Sequence, residues 1–135
     1  MRITKATAAD VAALRPFDRH ISDERLHAAL QEGFVYLLWE DECPIGVLRY
    51  SLFWQAMPFL DLLYLDEGHR RQGYGTRAMA YWEAEMRTAG YPYLLLSTQE
   101  DEEAQFFYDR LGYTRCGGFT PPGQEAVELV FYKEL

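Results

Sequence analysis

Cysteine is scarce in this chain. It has two, Cys43 and Cys116, widely separated. No Cys-x-x-Cys and no Cys/His cluster occurs, so neither a zinc site nor a disulfide framework is expected. Free thiols in a reduced compartment fit best. Long hydrophobic runs are missing too: no apolar stretch reaches the roughly 18 residues that a membrane helix needs. The N-terminal MRITKATAAD has no apolar signal core. These absences predict a soluble, cytoplasmic protein that does not enter membranes. Positive charge is also in short supply, with 13 Lys and Arg against 21 Asp and Glu, net −8. Phosphate backbones attract basic surfaces, so nucleic acid is not expected as a partner. The acidity mildly favours a cationic small molecule, although solubility alone accounts for it equally well. There is no internal repeat and no low-complexity linker.

Two familiar phosphate loops are absent as well. The chain has no G-x-x-x-x-G-K-[ST], and its glycines do not fall as G-x-G-x-x-G with an acidic ribose partner. What is present is a different glycine loop. Phe59 to Leu65 is nearly all apolar, as in a strand buried on both faces. Polar residues follow, then Gly73 and Gly75. After them Met79, Trp82, Met86 and Ala89 recur at helical spacing. Strand, glycine loop and helix in that order aim backbone N–H groups and a positive helix pole at one point, a site for an anion. Taken alone, the two glycines could also simply form a tight turn.

With 135 residues, 49% of them apolar, the chain suits one domain, residues 1–135, around one core. Arg2 to Lys5 reads as a strand. Thr7 caps a first helix with Val11 and Leu14 inward, and Ser22 caps a second that ends at Gly33. Phe34–Trp39 and Ile45–Phe53 form a hairpin about the Glu40–Pro44 turn. The central strand and the helix from about Thr76 to Gly90 come next, with Glu83 and Arg87 as an i,i+4 pair. Pro92 to Ser97 is a further strand. Asp101 reads as the N-cap of a last helix, with Glu102 and Glu103 in its first turn. Ala104, Phe107, Tyr108 and Leu111 lie on one face of that helix. Tyr113–Phe119 and Ala126–Lys133 close the chain as a strand pair joined by the Thr120–Glu125 loop. The order predicts a mixed α/β fold with an antiparallel meander in the middle.

Arg70-x-x-Gly73-x-Gly75 after a strand resembles motif A of the GNAT superfamily, the acetyl-CoA-dependent N-acetyltransferases. Ala104-x-x-Phe107-Tyr108-x-x-Leu111-Gly112-Tyr113 resembles their motif B, in the expected order after motif A. The element order is similar throughout, and most closely from Phe59 to Phe119. The resemblance implies a GNAT-type fold: a mostly antiparallel mixed sheet, helices on both faces, and a V-shaped split between the fourth and fifth strands.

The resemblance also implies an activity, acetyl transfer from acetyl-CoA to a primary amine, with no metal. The amides of Arg71, Gln72, Gly73, Tyr74, Gly75 and Thr76 would cradle the pyrophosphate, with Arg70 beside them. Leu63, Tyr64 and Leu65 would meet the pantetheine arm, and the Leu65 amide the oxyanion. Asp101 stands at a further cofactor position. Tyr108 would protonate the departing thiolate; by spacing alone it reads first as a core aromatic. Asp61 interrupts an apolar strand and would be a general base through a relay water, or else a carboxylate satisfied by neighbouring backbone. Asp18, His20 and Trp54 fall in stretches that would form the acceptor mouth, where an acidic and aromatic lining suits a cationic amine. A small amine is the leading acceptor. A protein N-terminus or lysine is the second, and a non-catalytic acyl-CoA sensor the alternative of another class. The apolar run Val127–Tyr132 would permit a homodimer, or serve as a core strand.

Overall fold

The computed structural model describes residues 1–135. Its strands are Arg2–Lys5 (β1), Val35–Glu40 (β2), Cys43–Phe53 (β3), Met57–Leu65 (β4), Tyr93–Gln99 (β5), Thr114–Phe119 (β6) and Glu128–Glu134 (β7). Its helices are Val11–Leu14 (α1), Asp23–Glu32 (α2), Tyr74–Thr88 (α3) and Ala104–Arg110 (α4). The strands form one mixed sheet in the order β1-β2-β3-β4-β5-β7-β6. No helix is long and apolar enough to cross a membrane. The residues group into two compact units, Met1–Ser51 with Asp61–Trp82, and Leu52–Leu60 with Glu83–Leu135.

In the first unit, local chemistry sets the helix ends. The Thr7 hydroxyl accepts from the Ala9 amide while the Asp10 carboxylate accepts from the Thr7 amide, a capping box that starts the turn into α1. The Ser22 hydroxyl accepts from the Arg25 amide, and Asp23 and Glu24 sit at the positive pole of α2. Gly33 ends α2 at φ 79°, in the left-handed region. Side chains of β2 and β3 alternate between two covered faces. Val35, Leu37 and Val47 join Leu14, Leu26 and Leu30 beneath the first two helices. Tyr36 and Tyr50 meet Tyr81 and Trp82 of α3, with ring centroids 5.7 and 5.6 Å apart. Cover on both faces explains the near-continuous apolar sequence of these strands. Gly46 allows a close approach: a Cβ there would lie 2.3 Å from the Tyr64 carbonyl oxygen.

In the second unit β5 is the central strand. It pairs antiparallel with β7 from Tyr93↔Glu134 to Gln99↔Glu128. Its parallel ladder with β4 has only two pairs, Phe59↔Leu95 and Leu60↔Leu96, although both strands run on beyond them. β6 is an exposed edge strand on β7, with a bulge between Arg115 and Gly117.

Two local expectations are corrected here. Asp101 does not cap α4, which begins at Ala104 with Glu103 at the N-cap and no side-chain cap. The buried Gln105 amide holds the preceding turn instead, donating to the carbonyls of Glu100 (2.6 Å) and Glu102 (2.9 Å). Glu102 and Glu103 therefore precede the helix. Nor does Glu83 pair with Arg87. It is 9% exposed, and it accepts from the Tyr113 hydroxyl at 2.8 Å and from Lys133 Nζ at 3.0 Å. An exposed i,i+4 pair is worth a few tenths of a kcal/mol, whereas an unpaired buried carboxylate costs several, so the core partners win. Burial and the Glu83 carboxylate together push the Tyr113 phenol far above its ordinary range.

This cluster ties the end of α3 to β7 and to the α4–β6 corner. Glu83→Ala should lower unfolding free energy by roughly 2–3 kcal/mol, because Lys133 and Tyr113 lose their acceptor together and Lys133 is partly solvated. Urea denaturation checks this, and Glu83→Gln should recover about half the loss.

Candidate active site

The glycine loop folds as a braced turn at the head of α3. The first intrahelical bond runs from the Arg77 amide to the Gly73 carbonyl at 3.1 Å. The amides of Tyr74, Gly75 and Thr76 thus have no acceptor in the helix. No acidic residue lies in that first turn, so the positive pole is uncompensated. Arg71 and Gly73 adopt left-handed φ values of 61° and 81°, which turn successive amides outward. A Cβ on Gly73 would meet nothing within 4 Å, so the surface there is open.

Most side chains of the loop are engaged in holding it. Arg70 Nε donates to the Leu65 carbonyl at 2.9 Å, and its guanidinium lies over the Tyr64 ring. The Gln72 amide donates to the Gly68 carbonyl at 3.0 Å. The Tyr74 hydroxyl donates to Glu40 at 2.7 Å, and His69 Nε2 meets the other oxygen of Glu40 at 2.6 Å. The Tyr74 hydrogen bond holds the Glu40 carboxyl below its ordinary range, helped by His69, and pushes the Tyr74 phenol up. His69 is therefore a brace between loop and hairpin rather than a free surface residue. Arg71, which is exposed, is the arginine of the loop with no protein partner.

Of the strand positions expected to meet a cofactor, Leu63 and Leu65 are half-buried. The Tyr64 ring packs into the core beneath α1 and α2, so a role there falls to its backbone.

The first unit holds a second feature, a pocket of about 460 Å³ lined by both carboxylates and arginines. Asp61 lines it with Ser51 and Arg49 of β3 and residues of α2. Asp18, from the linker before α2, is 4% exposed. It accepts from Arg49 Nε at 2.7 Å and from Nη2 at 3.4 Å. Arg49 Nη1 lies 3.7 Å from Asp61 Oδ2. Desolvation pushes the Asp61 carboxyl up, more than Ser51 and Arg49 pull it down. Asp18 thus spends its charge on Arg49 and does not offer it at a mouth. His20 is exposed. Trp54, in the β3–β4 turn of the second unit, is 79% exposed and stacks on Phe53.

Tyr108 belongs to the second unit. It is 8% exposed, packed against Phe107, Tyr113 and Phe131. No protein group accepts its hydroxyl, and the only fully buried side-chain atoms without a hydrogen bond are His69 Nδ1 and Trp82 Nε1, so the hydroxyl reaches solvent. Burial, with a smaller contribution from Glu102, pushes its pKa up to about 12. It is a phenol that stays protonated throughout the neutral and alkaline range. Asp101 is exposed just ahead of α4.

Sequence reasoning passed over Arg49. Its signal was available: a lone cation within the apolar run of β3, which requires a buried anion from elsewhere in the chain. No group of three or more His, Cys, Asp or Glu residues is placed to hold a metal ion.

Comparison with known proteins gives a consistent result. The profile of the acetyltransferase (GNAT) family matches residues 6–113. No curated protein sequence matches. Among solved structures, a GNAT-family acetyltransferase from Bacillus cereus is 25% identical, with TM-score 0.80 over 98% of this chain and 96% of its own. A ribosomal-protein-alanine N-acetyltransferase from Brucella melitensis shares the fold at 21% identity, with TM-score 0.84 over 100% of both chains. A Bacillus anthracis structure, named for streptothricin acetylation and solved with acetyl coenzyme A, matches at TM-score 0.69 and 19% identity over 75% of this chain and 61% of its own.

The Asp18–Arg49 pair makes a direct prediction. Arg49→Met strands a carboxylate that is 4% exposed and should cost about 3 kcal/mol of stability. Combining it with Asp18→Asn should cost clearly less than the sum of the two single changes, as a denaturation double-mutant cycle would show.

Proposed function

Because the chain belongs to the acetyltransferase (GNAT) family, we propose that residues 1–135 act as one N-acetyltransferase domain that moves an acetyl group from acetyl-CoA to a small primary amine. The observation that carries this reading is the head of α3: outward amides, no acidic residue in the first turn, and one unpartnered arginine, Arg71. That chemistry suits a pyrophosphate, the charged centre of coenzyme A. Acetyl-CoA supplies the activated acyl group as a thioester.

The remaining steps fall to the chain's own residues. The acceptor arrives as an ammonium and gives a proton to Asp61, directly or through water. The neutral nitrogen attacks the thioester carbonyl and the C–N bond forms. The Leu65 amide faces the oxyanion. The C–S bond then breaks, and the sulfur takes a proton from Tyr108, which regains one from the nitrogen through solvent. The net products are an amide, free coenzyme A thiol and one proton. No cysteine nucleophile takes part, and Cys43 and Cys116 are exposed and unpaired.

Release of coenzyme A thiol from acetyl-CoA, measured against pools of amines sorted by class, tests the proposal. One pool should turn over, and Tyr108→Phe should lower kcat about 100-fold with donor binding retained. Donor binding without turnover in any pool, peptides included, would instead favour the sensor reading. The pH profile carries a sign. Asp61 accepts a proton only when ionised, and its pKa is raised, so the rate should fall as pH drops through a limb shifted up from that of an ordinary aspartate. Asp61→Asn should abolish that limb. Tyr108, at about 12, should add no alkaline limb near neutrality.

A further inference from the structure

We infer that the pocket between α2 and β3 is the acceptor site and that it selects a monoamine with an apolar body. This inference rests on the acetyltransferase reading above and names the acceptor class. Charge is the first argument. The pocket and its immediate support hold Arg25, Arg49, Glu32, Asp61 and, behind Arg49, Asp18. Arg49 is matched by Asp18 through two nitrogens and stands only at 3.7 Å from Asp61. Arg25 and Glu32 are exposed on α2, where solvent screens their charges. One negative charge is left over, on Asp61. Ser51 lowers its pKa less than burial raises it, and Arg49 stands at 3.7 Å, so lone pairs remain for a donor. A partly desolvated carboxylate in that condition recruits one cation.

The walls supply the second argument. Ile21, Ala28, Ala29, Phe34 and Tyr50 give the pocket a mainly apolar lining. An acceptor carrying several ammonium groups, or a skin of hydroxyls, would lose water against these walls without gaining partners from them. A volume of about 460 Å³ admits a short alkyl or arylalkyl body. The Phe34 and Tyr50 rings, with centroids 4.7 Å apart, provide an aromatic wall for it. One ammonium on Asp61 and one apolar body against α2 therefore describe the ligand.

The test compares phenethylamine and hexylamine with spermidine, an aminoglycoside and a short peptide in the thiol-release assay. The monoamines should have kcat/KM at least tenfold above the others. Asp61→Asn should raise their KM, and Ala28→Leu, at an exposed helix position that tolerates leucine, should penalise phenethylamine about tenfold more than propylamine. Turnover that is fastest with spermidine or the peptide, or an acceptor profile indifferent to Ala28→Leu, overturns this inference while leaving the acetyltransferase reading intact. If nothing turns over, calorimetric binding of phenethylamine in the presence of coenzyme A decides. Binding that Asp61→Asn abolishes supports the site, and no binding overturns it.

Discussion

A carboxylate buried to 4% exposure cannot stand alone, and Asp18 is such a carboxylate. Its answer is Arg49, taken through two nitrogens. The pair fastens the linker after α1 to the middle of β3, and so fixes where α2 enters. It also fixes a guanidinium near Asp61 without neutralising it. The same interaction therefore orders a segment with no regular structure and sets the electrostatics of the pocket beside it. Arg15 extends the arrangement, donating to the carbonyls of Asp18 and Ile21 and to the carboxylate of Asp23.

The glycine loop shows a comparable division of labour. Arg70, Gln72 and Tyr74 lie within the loop, yet their side chains point back into the protein. They hold the backbone in a shape that chain entropy would otherwise dissolve, at about 1–2 kcal/mol per residue. The amides are thus presented before any ligand arrives, and ligand binding need not bear that ordering cost. Glu40 of the hairpin is part of this device, because it receives both Tyr74 and His69.

Much of this was legible in the sequence. Element order, the caps at Thr7 and Ser22, the turn glycine Gly33 and the loop at the head of α3 rest on local rules, and local rules can be read from neighbours in the chain. What was not legible depended on distance. Glu83 looked like the partner of Arg87 because both lie on one helix; its true partners, Tyr113 at the α4–β6 corner and Lys133 of β7, are distant in the chain. Asp101 looked like a cap because it stands in front of an amphipathic stretch. The buried Gln105 amide, facing backwards, moved the helix start to Ala104. The pocket was half legible: Asp61 is conspicuous as a charge within a strand, but Arg49 acquires meaning only once Asp18 is folded against it.

The braced loop has one further consequence, in the kinetics of encounter. Its anion site is made mostly of backbone dipoles and a single free guanidinium, within a chain of net charge −8. Dipoles act at short range, whereas net charge acts over a Debye length, about 8 Å at physiological ionic strength. A polyanionic donor bound there, as proposed, would be repelled on approach and held only on arrival. Added salt, which usually slows the capture of a charged ligand by its site, would here screen the repulsion and quicken capture.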